Sequence, residues 1–197
     1  MNEVKGTDQS EVLSGSPGMD RILTGDGADT VHAGAGDDQI NGYLTGDNAW
    51  SYWSVSGEKH LYGEDGNDFI YGGSGNDVLE GGEGNDYLMG AAGDDVLRGG
   101  PGDDNLRGQA GDDILDGGEG NDTLSGGAGN DTYLIGNTHQ YISDSSGTDK
   151  AVVSVNFAKI PSSIEGVEYV QGALPLPYWI DALLPDSANG LRPEQLL

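Results

Sequence analysis

The sequence predicts an all-β protein: a parallel β-roll with two nine-residue units per coil, closed by a C-terminal β cap. Three observations predict it. First, one pattern recurs every nine residues: glycine at positions one, two and four, Asp at six, an apolar residue at eight. Residues 72–89, GGSGNDVLEGGEGNDYLM, hold two copies in direct succession. Second, 36 of the 197 residues are glycine and only 35% are hydrophobic, so each unit contributes little more than one buried side chain. Third, 34 acidic residues stand against 8 basic ones, a formal net charge of -26. A chain so acidic and so poor in aliphatics does not collapse unaided, because self-repulsion and backbone entropy outweigh the apolar surface on offer. A cation must neutralise it.

Fixed-period repeats are the first thing to establish, because they decide the architecture. Eight units run without a gap over residues 63–134, and three more over 15–41. Position six is Asp in all eleven: Asp20, Asp29, Asp38, Asp68, Asp77, Asp86, Asp95, Asp104, Asp113, Asp122 and Asp131. Position four is glycine throughout, at Gly18, Gly27, Gly36, Gly66, Gly75, Gly84, Gly93, Gly102, Gly111, Gly120 and Gly129. Positions one and two are looser. Gly25, Gly34, Gly73, Gly82, Gly100 and Gly118 keep position two, while Ser16, Glu64 and Gln109 replace it, and Thr24 replaces glycine at position one. Position eight is Ile22, Val31, Ile40, Ile70, Leu79, Leu88, Leu97, Leu106, Leu115, Leu124 and Tyr133.

Residues 6–14 form a worn unit with Glu11 at six and Leu13 at eight. The 21 residues between the two blocks equal nine plus twelve, and their last three, HLY, fit a strand end with Leu61 at position eight. Residues 42–62 are therefore one unit with its turn expanded over Gly42 to Lys59. The organisation expected is an N-terminal edge over 1–14, a roll over 15–134 with the expanded turn at 42–59, a capping segment over 135–170 and a proline-rich tail over 171–197.

Positions seven to nine make a short strand. Side chains alternate across a strand, so position eight points inward while seven and nine point out. Positions one to six make the turn, where glycine allows positive φ and lets carbonyls converge. Carbonyl oxygens plus the Asp carboxylate form a hard-oxygen site of the kind Ca2+ prefers, whereas Mg2+ demands tight octahedral geometry. One turn supplies too few ligands for a coordination number of roughly six to eight, so stacked turns share an ion. Units n and n+2 stack on the same edge. One edge carries Asp20, Asp38, Asp68, Asp86, Asp104 and Asp122, which make five shared sites. The other carries Asp29, the expanded turn, Asp77, Asp95, Asp113 and Asp131, with three uninterrupted pairs. About eight calcium ions are expected, five on one edge and at least three on the other, and binding and folding become one event.

At these residues the sequence closely resembles the RTX family of hemolysin-type calcium-binding repeats, GGxGxDxUx. The resemblance covers residues 15–134 and implies a parallel β-roll with calcium on both edges. It assigns as ligands the eleven Asp residues and the carbonyls of positions two and four. It also implies export by a type I secretion system of Gram-negative bacteria, with a chain unfolded at low cytosolic calcium that folds outside the cell. The segment from Gly129 to Phe157 resembles the region that follows such repeats. Val153, Val155 and Phe157 alternate as in a half-buried strand, and Ile142, Ile164, Val167 and Tyr169 complete a cap over the open end of the roll. An uncapped stack would expose strand edges and its apolar column. In the tail, PYWIDALL resembles segments near the start of serralysin-type peptidase domains in RTX proteins, which would make this chain a piece of a larger one.

Other chemistries are excluded or weaker. There is no cysteine, hence no disulfide framework or thiolate metal site. The acidic balance argues against nucleic acid and anionic membranes, and no apolar run is long enough to span a bilayer. The N-terminus, MNEVKGTDQS, lacks the pattern of a cleavable signal peptide. His32, His60 and His139 form no HExxH pair; His32 and His60 fall on outward positions and are expected to be solvated. No EF-hand loop, P-loop or Ser–His–Asp arrangement is present, and an ice-binding face would need an ordered outward Thr row that the mixed outward residues do not supply. Trp50, Tyr52 and Trp53 in the expanded turn either pack on the outward patch of Phe69, Tyr71, Tyr87 and Met89 or form a binding loop for glycan or protein. The function expected is a non-enzymatic calcium module supporting secretion and extracellular folding. The alternatives are an accessory module of a secreted peptidase, lipase or alginate epimerase, and an adhesin segment.

Overall fold

The computed structural model describes residues 1–44, 50–52, 56–136, 140–153 and 164–169, with backbone alone for 42–44, 50–52, 153 and 164–169. The sequence expectations on Trp53, His139, Val155, Phe157 and the tail lie outside the described residues. Nineteen strands and no helix are found there. In chain order they are β1 (Asn2–Lys5), β2 (Val12–Ser14), β3 (Asp20–Leu23), β4 (Asp29–Ala35), β5 (Gln39–Ile40), β6 (Gly42–Leu44), β7 (Trp50–Tyr52), β8 (Lys59–Asp65), β9 (Phe69–Ser74) and β10 (Val78–Glu83). They continue as β11 (Tyr87–Ala92), β12 (Val96–Pro101), β13 (Asn105–Ala110), β14 (Ile114–Glu119), β15 (Thr123–Ala128), β16 (Thr132–Ile135), β17 (Tyr141–Ser143), β18 (Asp149–Val153) and β19 (Ile164–Tyr169).

Odd and even units go to opposite sheets. The first sheet runs β1-β3-β5-β9-β11-β13-β15-β17 and the second β19-β18-β16-β14-β12-β10-β8-β4-β2. Every pairing within these two sheets is parallel, with Leu88 beside Leu106 beside Leu124 in one and Leu79 beside Leu97 beside Leu115 in the other. The chain is therefore the expected two-unit coil with an eighteen-residue repeat. Its core is two facing columns of position-eight side chains, which are fully buried from Ile22 to Tyr133. The 12 extra residues leave this register intact: Val31 pairs with Leu61, and Ile40 with Ile70, each thirty apart.

Three features differ from the sequence expectation. The strands are longer than three residues, because in Val78–Glu83 and its equivalents the pairing continues through the first three positions of the next unit. Glycine permits this by carrying positive φ at position two, as at Gly82 (φ 112), without breaking the ladder. The expansion is also narrower than 42–59. Gly42–Leu44 and Trp50–Tyr52 form an antiparallel hairpin, and Gly57 already has the positive φ (93) of a position-four glycine. Repeat geometry has thus resumed before Lys59.

The capping segment, finally, begins as more roll. Ile142 pairs with Leu124 and Ala151 with Tyr133 at the usual spacing, both in the buried column. Among its described strands only β19, which joins β18 through a register irregularity at Asp149/Lys150, departs from the repeat. At the other end β1 adds a coil, with Asn2 beside Asp20 and Val4 beside Ile22, and the worn unit at 6–14 pairs Leu13 with Val31 as expected.

Candidate calcium sites along the turn ladders

The position-six carboxylates line the two turn edges in single file. Each is buried, at 3% exposure or less from Asp20 to Asp149, and all but Asp20 have separate jobs for their two oxygens. Oδ1 stitches the coils together. Asp77 N donates to Asp95 Oδ1 at 2.8 Å, Asp95 N to Asp113 Oδ1 at 2.8 Å, and Asp113 N to Asp131 Oδ1 at 2.9 Å. The other edge repeats this from Asp20 N to Asp38 Oδ1 (2.7 Å) through Asp104 N to Asp122 Oδ1 (3.1 Å).

Oδ2 is left over. In Asp38, Asp68, Asp77, Asp86, Asp95, Asp104, Asp113 and Asp131 it is buried with no hydrogen-bond partner. A buried acceptor without a partner is unfavourable by about 1–3 kcal/mol, more when charged, so eight in file need an explanation. The position-one glycine shows where each points: a Cβ on Gly63, Gly81, Gly90 or Gly99 would strike the Oδ2 of Asp68, Asp86, Asp95 or Asp104 in the same turn. The same glycines show that carbonyls share that space, since a Cβ on Gly63 or Gly99 would also strike the carbonyl oxygen of Gly81 or Gly117 in the next coil, and at position four a Cβ on Gly84 or Gly102 would strike the carbonyl oxygen of Gly66 or Gly84 in the preceding coil. Carboxylate and carbonyl oxygens thus converge between successive turns with few donors among them, which is the ligand chemistry of a hard divalent cation. The residues fit calcium.

The electrostatics agree. Burial, first, and repulsion from neighbouring column carboxylates push Asp95 up to about 8 and Asp68, Asp104 and Asp113 up to about 7. Burial likewise raises Asp77 to about 7, and Asp38, Asp86 and Asp131 to about 6. Such shifts come from carboxylates buried side by side, and a cation among them would reverse the direction.

Replacing a position-two glycine does not remove its carbonyl. Glu64 (φ 77) and Gln109 (φ 83) hold the positive φ of the glycines they replace, and the Glu64 carbonyl lies against Gly82 as a glycine's would. Gly25, Gly34, Gly73, Gly100 and Gly118 share that conformation, as at position four do Gly27, Gly36, Gly75, Gly93, Gly111, Gly120 and Gly129. Gly18 is the exception. Its φ is not in the left-handed region, its N–H turns back to Ser16 O at 2.8 Å, and Ser16 N donates to Asp20 Oδ2. Burial opposes ionisation of Asp20, but the hydrogen bonds from Ser16 and Asn2 outweigh it and hold this carboxyl below its ordinary value. The Asp20 turn is therefore the least like a calcium site among the eleven.

Sequence reasoning missed three elements. Position five carries a second, exposed ladder in the opposite direction: Asn85 N donates to Asn67 Oδ1 (2.8 Å), Asp103 N to Asn85 Oδ1 (2.7 Å) and Asn121 N to Asp103 Oδ1 (2.8 Å). The recurrent Asn-Asp and Asp-Asp dipeptides were its signal. Asp149 extends the column, accepting from Asp131 N at 3.0 Å, and with Asp144 it brings three carboxylates within 4.8 Å of one another. The spacing Gly147-x-Asp149-x-Ala151 was the legible sign. Lys59 occupies position six of the expanded unit, between Asp29 and Asp77.

Outside the turns, Phe69 stacks on Tyr87 (4.9 Å between centroids) and Arg107 lies 5.2 Å from the Tyr87 ring. Phe69 and Met89 are buried despite their outward positions. His32 and His60 are exposed as expected; His32 stacks on Tyr62 and its Nδ1 lies 3.0 Å from Glu64 Oε1. No helix among the described residues is long and apolar enough to cross a membrane.

A parallel roll with two files of buried, cation-seeking carboxylates defines a calcium-binding β-roll. The family model for the RTX calcium-binding nonapeptide repeat matches residues 6–47, 62–97 and 98–133, and the chain belongs to that family. Comparison with curated proteins finds no significant match.

Proposed function

We propose that this chain is a non-catalytic calcium module that stays unfolded while calcium is scarce, folds on meeting extracellular calcium after type I export, and supports the folding of whatever it is joined to. The observation that carries this reading is the eight orphaned Oδ2 atoms, four on each edge. Calcium, when bound, supplies the positive charge that lets these carboxylates ionise while buried. The chain's own groups do the rest: Oδ1 sets the coil spacing, the turn carbonyls complete the ligand set, and position eight seals the core. About eight ions, five on one edge and at least three on the other, correspond to the Asp pairs read from the sequence, and Asp131 with Asp149 adds a further pair to the second edge.

The test is far-UV circular dichroism against free calcium with magnesium as control. Cooperative gain of β-structure at roughly 0.1–1 mM calcium, the range of extracellular modules, with magnesium inert, supports the reading. Persistent disorder in excess calcium refutes it.

A second reading, an accessory module of a larger secreted enzyme or adhesin, is favoured by the hairpin of β6 and β7, which stands outside both ladders and carries Trp50 and Tyr52, with Trp53 the next residue in sequence. A glycan or polymer signal lost in Trp50→Ala and Trp53→Ala would support it.

A further inference from the structure

Lys59 is the one basic residue in the position-six column. It stands where Asp stands in its neighbours, with Asp29 before it and Asp77 after it in the register. It is also fully buried, in a turn edge otherwise lined by acids. Its backbone behaves as any position-six residue does, donating to Asp77 Oδ1 at 2.7 Å. Its side chain does not. Nζ donates to the carbonyl oxygens of Gly27 and, at 2.6 Å, Ser56, and lies 3.3 Å from Asp29 Oδ2. Gly27 and Asp29 are the position-four carbonyl and position-six carboxylate of the preceding turn, the same two ligand types that face each calcium gap elsewhere. Asp29 is the column Asp whose free oxygen has found a protein cation.

We infer that the Lys59 ammonium is a built-in cation occupying the gap between the Asp29 turn and its own, in place of a calcium ion. The chemistry is consistent. An ammonium has three donors and one positive charge, and here meets two carbonyls and a carboxylate. Burial of a Lys–Asp pair is tolerated where hydrogen bonds complete the geometry, as they do here. The placement has a local reason. The inserted hairpin enters at the start of this unit, where Ser54 and Val55 replace the usual glycine pair, and a tethered cation closes the turn without needing the standard ligand frame. A chelator strips calcium from the other gaps but cannot strip an ammonium held by the chain itself. The inference rests on the calcium reading above and refines it: the second edge carries one ion fewer than its coil count, by design of the sequence.

The experiment is an ion count by native mass spectrometry on the full chain at saturating calcium, with folding followed by circular dichroism, for wild type and Lys59→Asp. Lys59→Asp restores an acid between Asp29 and Asp77 and is expected to bind at least one ion more than wild type. Equal counts in two folded chains overturn this inference alone, whereas a wild type that binds no calcium overturns the proposed function and this inference with it. Should Lys59→Asp not fold, amine acetylation of the calcium-loaded wild type decides. Lys59 protected while Lys5 and Lys150 react supports the assignment; Lys59 reacting as fast as Lys5 overturns it.

Discussion

Acid should partly replace calcium. In chelator the folded roll must bury eight carboxylates whose ordinary value of 3.8 rises to about 6 for Asp38, Asp86 and Asp131, about 7 for Asp68, Asp77, Asp104 and Asp113, and about 8 for Asp95. A group whose folded value lies above its unfolded one favours the fold fully below the unfolded value, and that contribution is lost as pH rises through the folded value. The window is therefore pH 4 to 8. At about 1.4 kcal/mol per pH unit, the eight taken as independent would disfavour the calcium-free roll by on the order of 30 kcal/mol at pH 8. Solvent at the turn rims screens part of this, and protonating one carboxyl relieves its neighbours, so on the order of 15 kcal/mol is a working figure, falling to roughly 6 at pH 5. That difference is as large as the whole stability of an ordinary domain, about 5–15 kcal/mol. The assay is circular dichroism at low micromolar protein in chelator from pH 8 to pH 5, with sedimentation to confirm a monomer. β-signal should rise as pH falls, and calcium at pH 8 should produce the same spectrum. A monomer equally disordered at both pH values would show that carboxylate burial is not what holds the calcium-free chain open. A chain already folded in chelator at pH 8 would show that the charge is borne some other way.

Other substitutions separate the two jobs of the column. Asp95→Asn keeps an oxygen acceptor for Asp77 N–H while removing the charge, and Asp95→Ala removes both, so Ala should lie about 1–3 kcal/mol below Asn in calcium-saturated urea denaturation. Gly99→Ala places a methyl against Asp104 Oδ2 and should raise the calcium midpoint severalfold in a dichroism titration, although glycine elsewhere in a strand usually gains from replacement by Ala. Leu97→Ala opens the fully buried column and should lower the stability of the calcium-bound form by about 2–5 kcal/mol without changing the number of ions bound, as read by urea denaturation and an ion count. Asp144→Asn should weaken calcium binding at the C-terminal end, where Asp131, Asp144 and Asp149 converge, and lower the thermal midpoint measured in calcium.

How much was legible depended on whether a position repeats. The column of Asp at six, the glycine at four and the aliphatic at eight fixed the coil, the register and the two edges, because an eighteen-residue coil leaves a period-nine residue nowhere else to go. Even the insertion was read through, since Leu61 had only one column to join. The ends were less legible. Asp149 and Ala151 sit in a unit with one glycine of the usual three, and the strand of Asn2 and Val4 carries Asn where its neighbour carries Asp20, so pattern alone did not declare them part of the roll. Position five was visible as a recurrent Asn or Asp but its direction of hydrogen bonding was not.

By itself the sequence determined that the chain is a roll, that its edges are acidic, that one side chain per unit is buried and that its repeats are of the calcium-binding kind. These follow from composition and period, which stacking merely copies from coil to coil. The tertiary structure decided what depends on the individual coil: that Asp38, Asp68, Asp77, Asp86, Asp95, Asp104, Asp113 and Asp131 each spend one oxygen on a neighbour's backbone and leave the other without a hydrogen bond, that Gly18 bends its turn away from the common form, and that Lys59 reaches back to Gly27 and Asp29 instead of leaving their oxygens to an ion. A long side chain has several directions open to it in sequence, and only the packed neighbours on both sides select one.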